Sequence, residues 1–316
     1  LVCIFSETLF IMLCGRFLQG IGIASPRIVM NAVIRDRYKG PEMARVMSFV
    51  MAVFILVPVI APSIGQVILI FFNWEAIFWM FLITALLVCI WFSTRLDETL
   101  LPESRQPLSF RKIRNGMIEV LKTRTALGYT LATGFLFSPF VGYLSSSQQI
   151  FADGYGKKDE FPLLFASLAL TFGVASLVNA RLVYRYGLKR LCFLSVSVIT
   201  GLSGIFLLGI LGMDKMPPLW LFMGYMMIIF PGIGFLFGNL NALAMEPLGH
   251  IAGVGAAMIG SLSSLISIPL GILIAGAFNG TVLPLVTGFS LCGLAVLFSI
   301  IWAEKNPQSK VVVENP

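Results

Sequence analysis

Charge is what this sequence has least of. Asp, Glu, Lys and Arg together make up 12% of its 316 residues and hydrophobic residues 58%, whereas a soluble domain carries about 25% charged residues. So few charges cannot clothe a soluble globule of this length. Histidine occurs once, as His250, and the five cysteines (Cys3, Cys14, Cys89, Cys192, Cys292) show no C-x-x-C spacing. That excludes a disulfide framework and a Cys/His metal cluster, and the cysteines read as small core hydrophobes. No Ser/His/Asp, Cys/His or metal-ligating constellation is visible, so neither an enzyme nor a cofactor is expected. The net charge of +7 can signal nucleic acid. Here the cations lie in short connections between apolar blocks, which is a membrane-topology pattern and argues against a nucleic-acid partner.

What is abundant is long apolar sequence. Blocks of about 20 apolar residues match the hydrocarbon thickness of a bilayer. In lipid the backbone must satisfy its own hydrogen bonds, which leaves helices or closed barrels. The blocks do not alternate polar with apolar as barrel strands do, so an all-α membrane protein is expected. Leu1 to Phe5 read as the tail of a helix already under way, and a preceding segment is expected to be missing. Nine spans follow, at about 9–34, 46–72, 75–94, 126–151, 161–182, 191–212, 218–244, 252–278 and 282–303. Alternate connections collect the cations: Arg35, Arg37, Lys39 and Arg45; the stretch from Arg95 to Arg124; Arg181, Arg185, Lys189 and Arg190; and the tail with Lys305 and Lys310. By the positive-inside rule this set, with the C-terminus, is cytoplasmic. Within the longest connection, Phe110, Ile113, Met117 and Val120-Leu121 recur at helical spacing opposite Lys112, Asn115, Glu119 and Lys122, fitting an amphipathic helix on the membrane surface.

Several polar residues stand inside the spans. Arg16 lies about 12 Å deep by helical rise, where a charge needs a partner or a wet cavity. Gln19, three residues on, shares its face. Arg27 is nearer the helix end and snorkels. Pro58 and Pro62 bend the next span, and Ala61, Ser63 and Gly65 admit a close neighbour. Tyr143, Ser145, Ser146, Ser147, Gln148 and Gln149 gather near one helix end. Asn239 and Asn241 lie beside the Gly234-Phe-Leu-Phe-Gly238 packing face, and Ser261, Ser263, Ser264 and Ser267 occupy another span. These residues either line a translocation cavity or bond helix to helix, and both readings stand. His250 reads as a loop residue rather than a proton relay, and Asn279-Gly-Thr281 as a tight turn rather than a glycosylation site. Between their ends the nine spans contain no Asp or Glu.

Arg16-Phe-Leu-Gln19-Gly20-Ile-Gly22 resembles the fourth-helix motif of the major facilitator superfamily, specifically the Bcr/CflA-type drug:proton antiporters. Pro58 to Gly65 is similar to the fifth-helix antiporter motif, with Ala61-Pro62 where Gly-Pro is usual and Gln66 in place of a final Gly. Asn179 to Arg190 resembles the loop between helices eight and nine. The resemblance runs from the end of helix three through helix twelve. It implies two six-helix bundles with the first incomplete: residues 1–94 the remainder of the N-terminal bundle, 95–125 a cytoplasmic linker, 126–303 the C-terminal bundle and 304–316 a cytoplasmic tail. It also implies a monomer in the bacterial inner membrane that exchanges a small-molecule substrate for protons by alternating access. Arg16 and Gln19 would serve coupling, with the acidic mate of Arg16 in the missing helices. Pro58, Pro62 and Gly65 would serve packing, Tyr143, Gln148, Asn239 and Asn241 the cavity wall, and Arg185, Gly187 and Lys189 the inner gate. A metabolite or sugar facilitator of the same fold and a non-transporting assembly protein are the alternatives.

Overall fold

Ten α-helices appear in a computed structural model that describes residues 1–38, 40–99, 109–213 and 216–305. They are α1 (Leu9–Arg37), α2 (Gly40–Phe71), α3 (Glu75–Arg95), α4 (Phe110–Lys122), α5 (Arg124–Gln149), α6 (Phe161–Tyr186), α7 (Leu188–Ile210), α8 (Leu219–Met245), α9 (Ala252–Gly276) and α10 (Leu283–Glu304). No strand occurs among the described residues. Within them, seven segments are long and apolar enough to cross a membrane, one of which, Leu219–Gly276, runs through both α8 and α9. α2 adds the shorter apolar stretch Ile60–Phe71. The apolar blocks of the sequence thus become α1 to α3 and α5 to α10, and the amphipathic stretch becomes α4. Lys39, Asp214, Lys215 and Lys310 lie outside the described residues, as do the side chains of Arg27, Arg35, Arg45 and Pro58.

Helix ends follow local chemistry. The Thr8 hydroxyl accepts the Ile11 N–H at 3.3 Å and opens α1, and Ser109 does the same for Lys112 at 3.4 Å before α4. Gly187 joins α6 to α7 at φ +78°, a left-handed conformation in which an L side chain is strained. The Asn279–Gly280 connection is a tight turn, with Asn279 Oδ1 accepting from the Thr281 hydroxyl at 2.7 Å and Gly280 at φ +82°. Two features were not legible. α5 runs into a π-helical turn, Ile150–Gly154, and a 3-10 turn, Glu246–Ile251, links α8 to α9. At the start of the chain the Leu1 carbonyl accepts from the Ile4 N–H at 2.9 Å and the Phe5 N–H at 3.3 Å, a turn rather than a helix.

The chain divides into two compact units, residues 1–108 and 109–316. In the first, Cys3 is buried against Gly15 of α1, and Phe5 meets Trp79 of α3 edge-on at 6.3 Å. α3 has no buried residue, as befits a helix whose apolar side chains face outward. Cys14 and Cys89 are likewise exposed on their helices, contrary to the core role expected of every cysteine, while Cys192 and Cys292 are buried in the second unit.

In the second unit α5 is central and packs against α8, α9 and α10. Its interface with α9 is built from glycine. An ideal Cβ on Gly134 would sit 2.9 Å from Ile266, one on Gly142 2.8 Å from Ile274, and one on Gly271 2.6 Å from Val141. Small residues let helix backbones approach closely where lipid supplies no hydrophobic drive between helices. Buried hydroxyls return to their own helix: Thr130, Thr133, Ser138, Ser146, Ser290 and Ser299 each donate to a carbonyl four residues back. At one end of the unit the end of α10 meets the starts of α5 and α7, and α4 meets the start of α9.

Candidate functional site

The expected coupling residues stand on α1, which begins seven residues before Arg16. The Arg16 guanidinium donates to Gln19 Oε1 at 2.8 Å and lies 5.9 Å from the Phe78 ring centroid of α3. This is charge solvation by an amide and an aromatic face, worth about 0.5–1 kcal/mol for the ring at an exposed position. Arg16 is exposed within its unit and Gln19 half-buried. Gly20 and Gly22 on the same helix and Gly65 on α2 would each carry a Cβ with nothing within 4 Å. Pro62 is half-buried. Both sequence stretches therefore present small, open surface within this unit, and close packing at Gly65 is absent among the described residues.

The residues expected to line a cavity separate into different roles. Tyr143 is fully buried, stacked on Phe165 of α6 at 5.9 Å and edge-on to Phe230 of α8 at 5.1 Å. Its hydroxyl has no hydrogen-bond partner among the described residues. Gln148, toward the same end of α5, is exposed. Asn239 is buried on α8 and faces α6, where its amide exchanges two hydrogen bonds with Asn179, both 2.9 Å. Asn241 points elsewhere and donates to its own helix at the Phe237 carbonyl, 2.8 Å away. Ser263 of α9 donates to the Thr130 carbonyl of α5 at 3.2 Å, and Ser203 of α7 pairs with Tyr225 of α8 at 2.8 Å. Of the packing pair Gly234 and Gly238, only Gly234 has a close neighbour, the Phe172 carbonyl, which an added Cβ would meet at 2.8 Å.

The expected gate residues lie where α6 meets α7. Arg185 is exposed over the Tyr186 ring at 5.5 Å. Lys189 reaches across the unit to Glu304 at the end of α10, 2.8 Å away, and the same carboxylate accepts the Tyr129 hydroxyl of α5 at 2.7 Å. Arg124 reinforces this corner, donating to the Trp302 carbonyl at 2.8 Å with its guanidinium 4.9 Å from the indole. One carboxylate thereby ties α5, α7 and α10 together. Sequence reasoning singled out Lys189 but missed Glu304 and Tyr129, which are 115 and 60 residues from it in the chain.

The apolar helices, the glycine-packed α5–α9 seam and the cation-bearing hairpins invite comparison with known proteins. A family model of the Major Facilitator Superfamily matches residues 1–272. The chain belongs to this superfamily. Its all-α membrane architecture is the major facilitator one. Among curated members it is 29% identical over 270 residues to an uncharacterized MFS-type transporter, YdgK, of Bacillus subtilis strain 168, covering 84% of this chain and 66% of that protein. It is 28% identical over 304 residues to a bicyclomycin resistance protein homolog of Haemophilus influenzae, covering 93% and 74%. To the multidrug resistance protein MdtL of Shigella dysenteriae it is 25% identical over 270 residues, covering 82% and 63%. The chain thus spans about two thirds of the length of the superfamily members it matches.

Proposed function

We propose that the chain belongs to a secondary transporter of the bacterial inner membrane that exports amphipathic small molecules, drugs among them, in exchange for protons. The observation that carries this reading is Arg16. A guanidinium inside an apolar span, held by Gln19 and flanked by open glycine surface, keeps a positive charge where a proton's arrival or departure changes the local field. Proton movement can then bias a rocking of one helical bundle against the other around a midplane site. Residues 1–94 form one bundle's share and 126–303 the other bundle, joined by the linker 95–125. The cation-rich end of the second unit and the C-terminus face the cytoplasm, with Arg185, Gly187 and Lys189 at the inner gate. The names of two relatives, bicyclomycin resistance and multidrug resistance, support an amphipathic drug-like substrate. The protein works as a monomer.

Efflux of a fluorescent lipophilic cation from energised cells tests this. The chain should lower dye accumulation, a proton uncoupler should restore it, and Arg16→Ala should abolish the effect while Arg16→Lys retains part of it. Dye accumulation unchanged by the chain, in cells where it reaches the membrane, refutes export. A second reading, an uncoupled facilitator of the same fold, is favoured by the spans having no carboxylate between their ends. It predicts equilibration of substrate that the uncoupler leaves untouched.

A further inference from the structure

α4 is not needed to cross the membrane and is not used by the transport reading, yet its faces are sharply divided. Gly116 and Val120 are buried. A Cβ on Gly116 would stand 3.0 Å from Val254 of α9, so the helix is seated closely on the start of α9. Glu119 adds a clamp, 2.7 Å from His250 in the turn between α8 and α9. Beside that seated face runs a second apolar stripe, which is exposed. Phe110 is 84% exposed, Met117 40% and Leu121 46%, at spacings of seven and four that align them along one side. Arg114 stands next to it and Arg111 and Lys122 lie further round the same side of the helix, all exposed. At its C-terminal end α4 turns through Thr123 directly into α5, where Arg124 covers the Trp302 ring. An indole at the end of an apolar span marks the headgroup level of a bilayer, so α4 lies at that depth.

We infer that α4 is an anionic-lipid docking helix: its exposed Phe110–Met117–Leu121 stripe enters the membrane boundary and Arg111, Arg114 and Lys122 hold negatively charged phospholipid headgroups. The occupant is a lipid surface rather than a protein groove. The apolar stripe adjoins the membrane that α5 enters, and the neighbouring side chains have the sign that anionic headgroups attract. Each cation near such a surface is worth about fivefold in attachment, so three together are worth roughly a hundredfold. Because α4 is seated on α9 through Gly116 and clamped by His250, lipid composition would then be felt at the α8–α9 turn.

The test is amide hydrogen exchange of the full chain in nanodiscs of pure phosphatidylcholine and of phosphatidylcholine with a quarter phosphatidylglycerol. Exchange across 110–122 should be at least about tenfold slower in the anionic discs, and 0.5 M salt should remove most of that difference by screening. R111Q/R114Q/K122Q should also lose it, with exchange in α5 to α10 unchanged as a check on folding. Equal exchange in the two lipids, a difference that survives both salt and the triple substitution, or the same slowing by inorganic pyrophosphate in zwitterionic discs would overturn the inference. The last would mark a soluble-anion site instead.

Discussion

Asn239→Leu removes one half of the amide pair that joins α6 to α8. The two side chains exchange two hydrogen bonds of 2.9 Å, and Asn239 is 3% exposed. Interhelical hydrogen bonds in membranes average about 0.6 kcal/mol and reach about 1.7, so the pair itself is worth about 1–2 kcal/mol. The single substitution also leaves the Asn179 amide in an apolar helix interface without its partner, which adds about 1–3 kcal/mol. We therefore expect N239L to destabilise the second unit by about 2–5 kcal/mol and N179L by a similar amount. The double variant N179L/N239L orphans nothing and should cost less than either single change, about 1 kcal/mol or below. Reversible unfolding of the purified chain in mixed micelles, followed by helix circular dichroism, gives the four free energies of the cycle. A coupling of about 2 kcal/mol or more supports the pair as a helix–helix bond. Additive effects, with a coupling below about 0.3 kcal/mol, would refute it and return Asn239 to the cavity wall.

Gly271→Ala should destabilise by about 1–3 kcal/mol through overpacking, because its Cβ would lie 2.6 Å from Val141; Gly260→Ala, with open space around it, should be neutral in the same unfolding assay. Glu304→Gln loosens the ties to Lys189 and Tyr129; with Lys189 half in solvent the cost should be no more than about 1 kcal/mol, and salt should shrink the difference from wild type. Tyr143→Phe deletes a buried hydroxyl that has no partner among the described residues and should leave stability equal or slightly raised, since a polar atom is no longer desolvated; a clear loss of dye efflux alone would show that the hydroxyl serves transport.

The span pattern was legible because lipid imposes it: a helix long enough to cross the bilayer shows as a continuous apolar block whatever its neighbours are. The existence of α4 was legible for a similar reason, since its apolar residues keep helical spacing, but that Gly116 and Val120 seat it on α9 was not. Pairings between helices were not. Asn179 and Asn239 are 60 residues apart, and nothing local reveals that α6 and α8 are neighbours in a register that brings their amides together. The partners of Lys189 were hidden for the same reason, and Glu304 looks from the sequence like an ordinary charge at a helix end. Side chains read as one polar cluster were also divided by helix rotation. Asn239 faces α6, while Asn241, two residues on, turns back to its own backbone, because positions two apart on a helix do not share a face. The π-turn after Gln149 left no signal in the sequence pattern at all.

Proton exchange is the central claim, and it is tested most directly in proteoliposomes that contain the purified chain and a luminal pH dye, with no gradient imposed. A permanently charged lipophilic cation, which carries no proton of its own, is added outside. Its inward movement through an antiporter must drive protons out, so the account predicts a saturable rise in luminal pH that Arg16→Ala removes. Entry of the cation with no change in luminal pH would contradict exchange and leave the uncoupled facilitator standing.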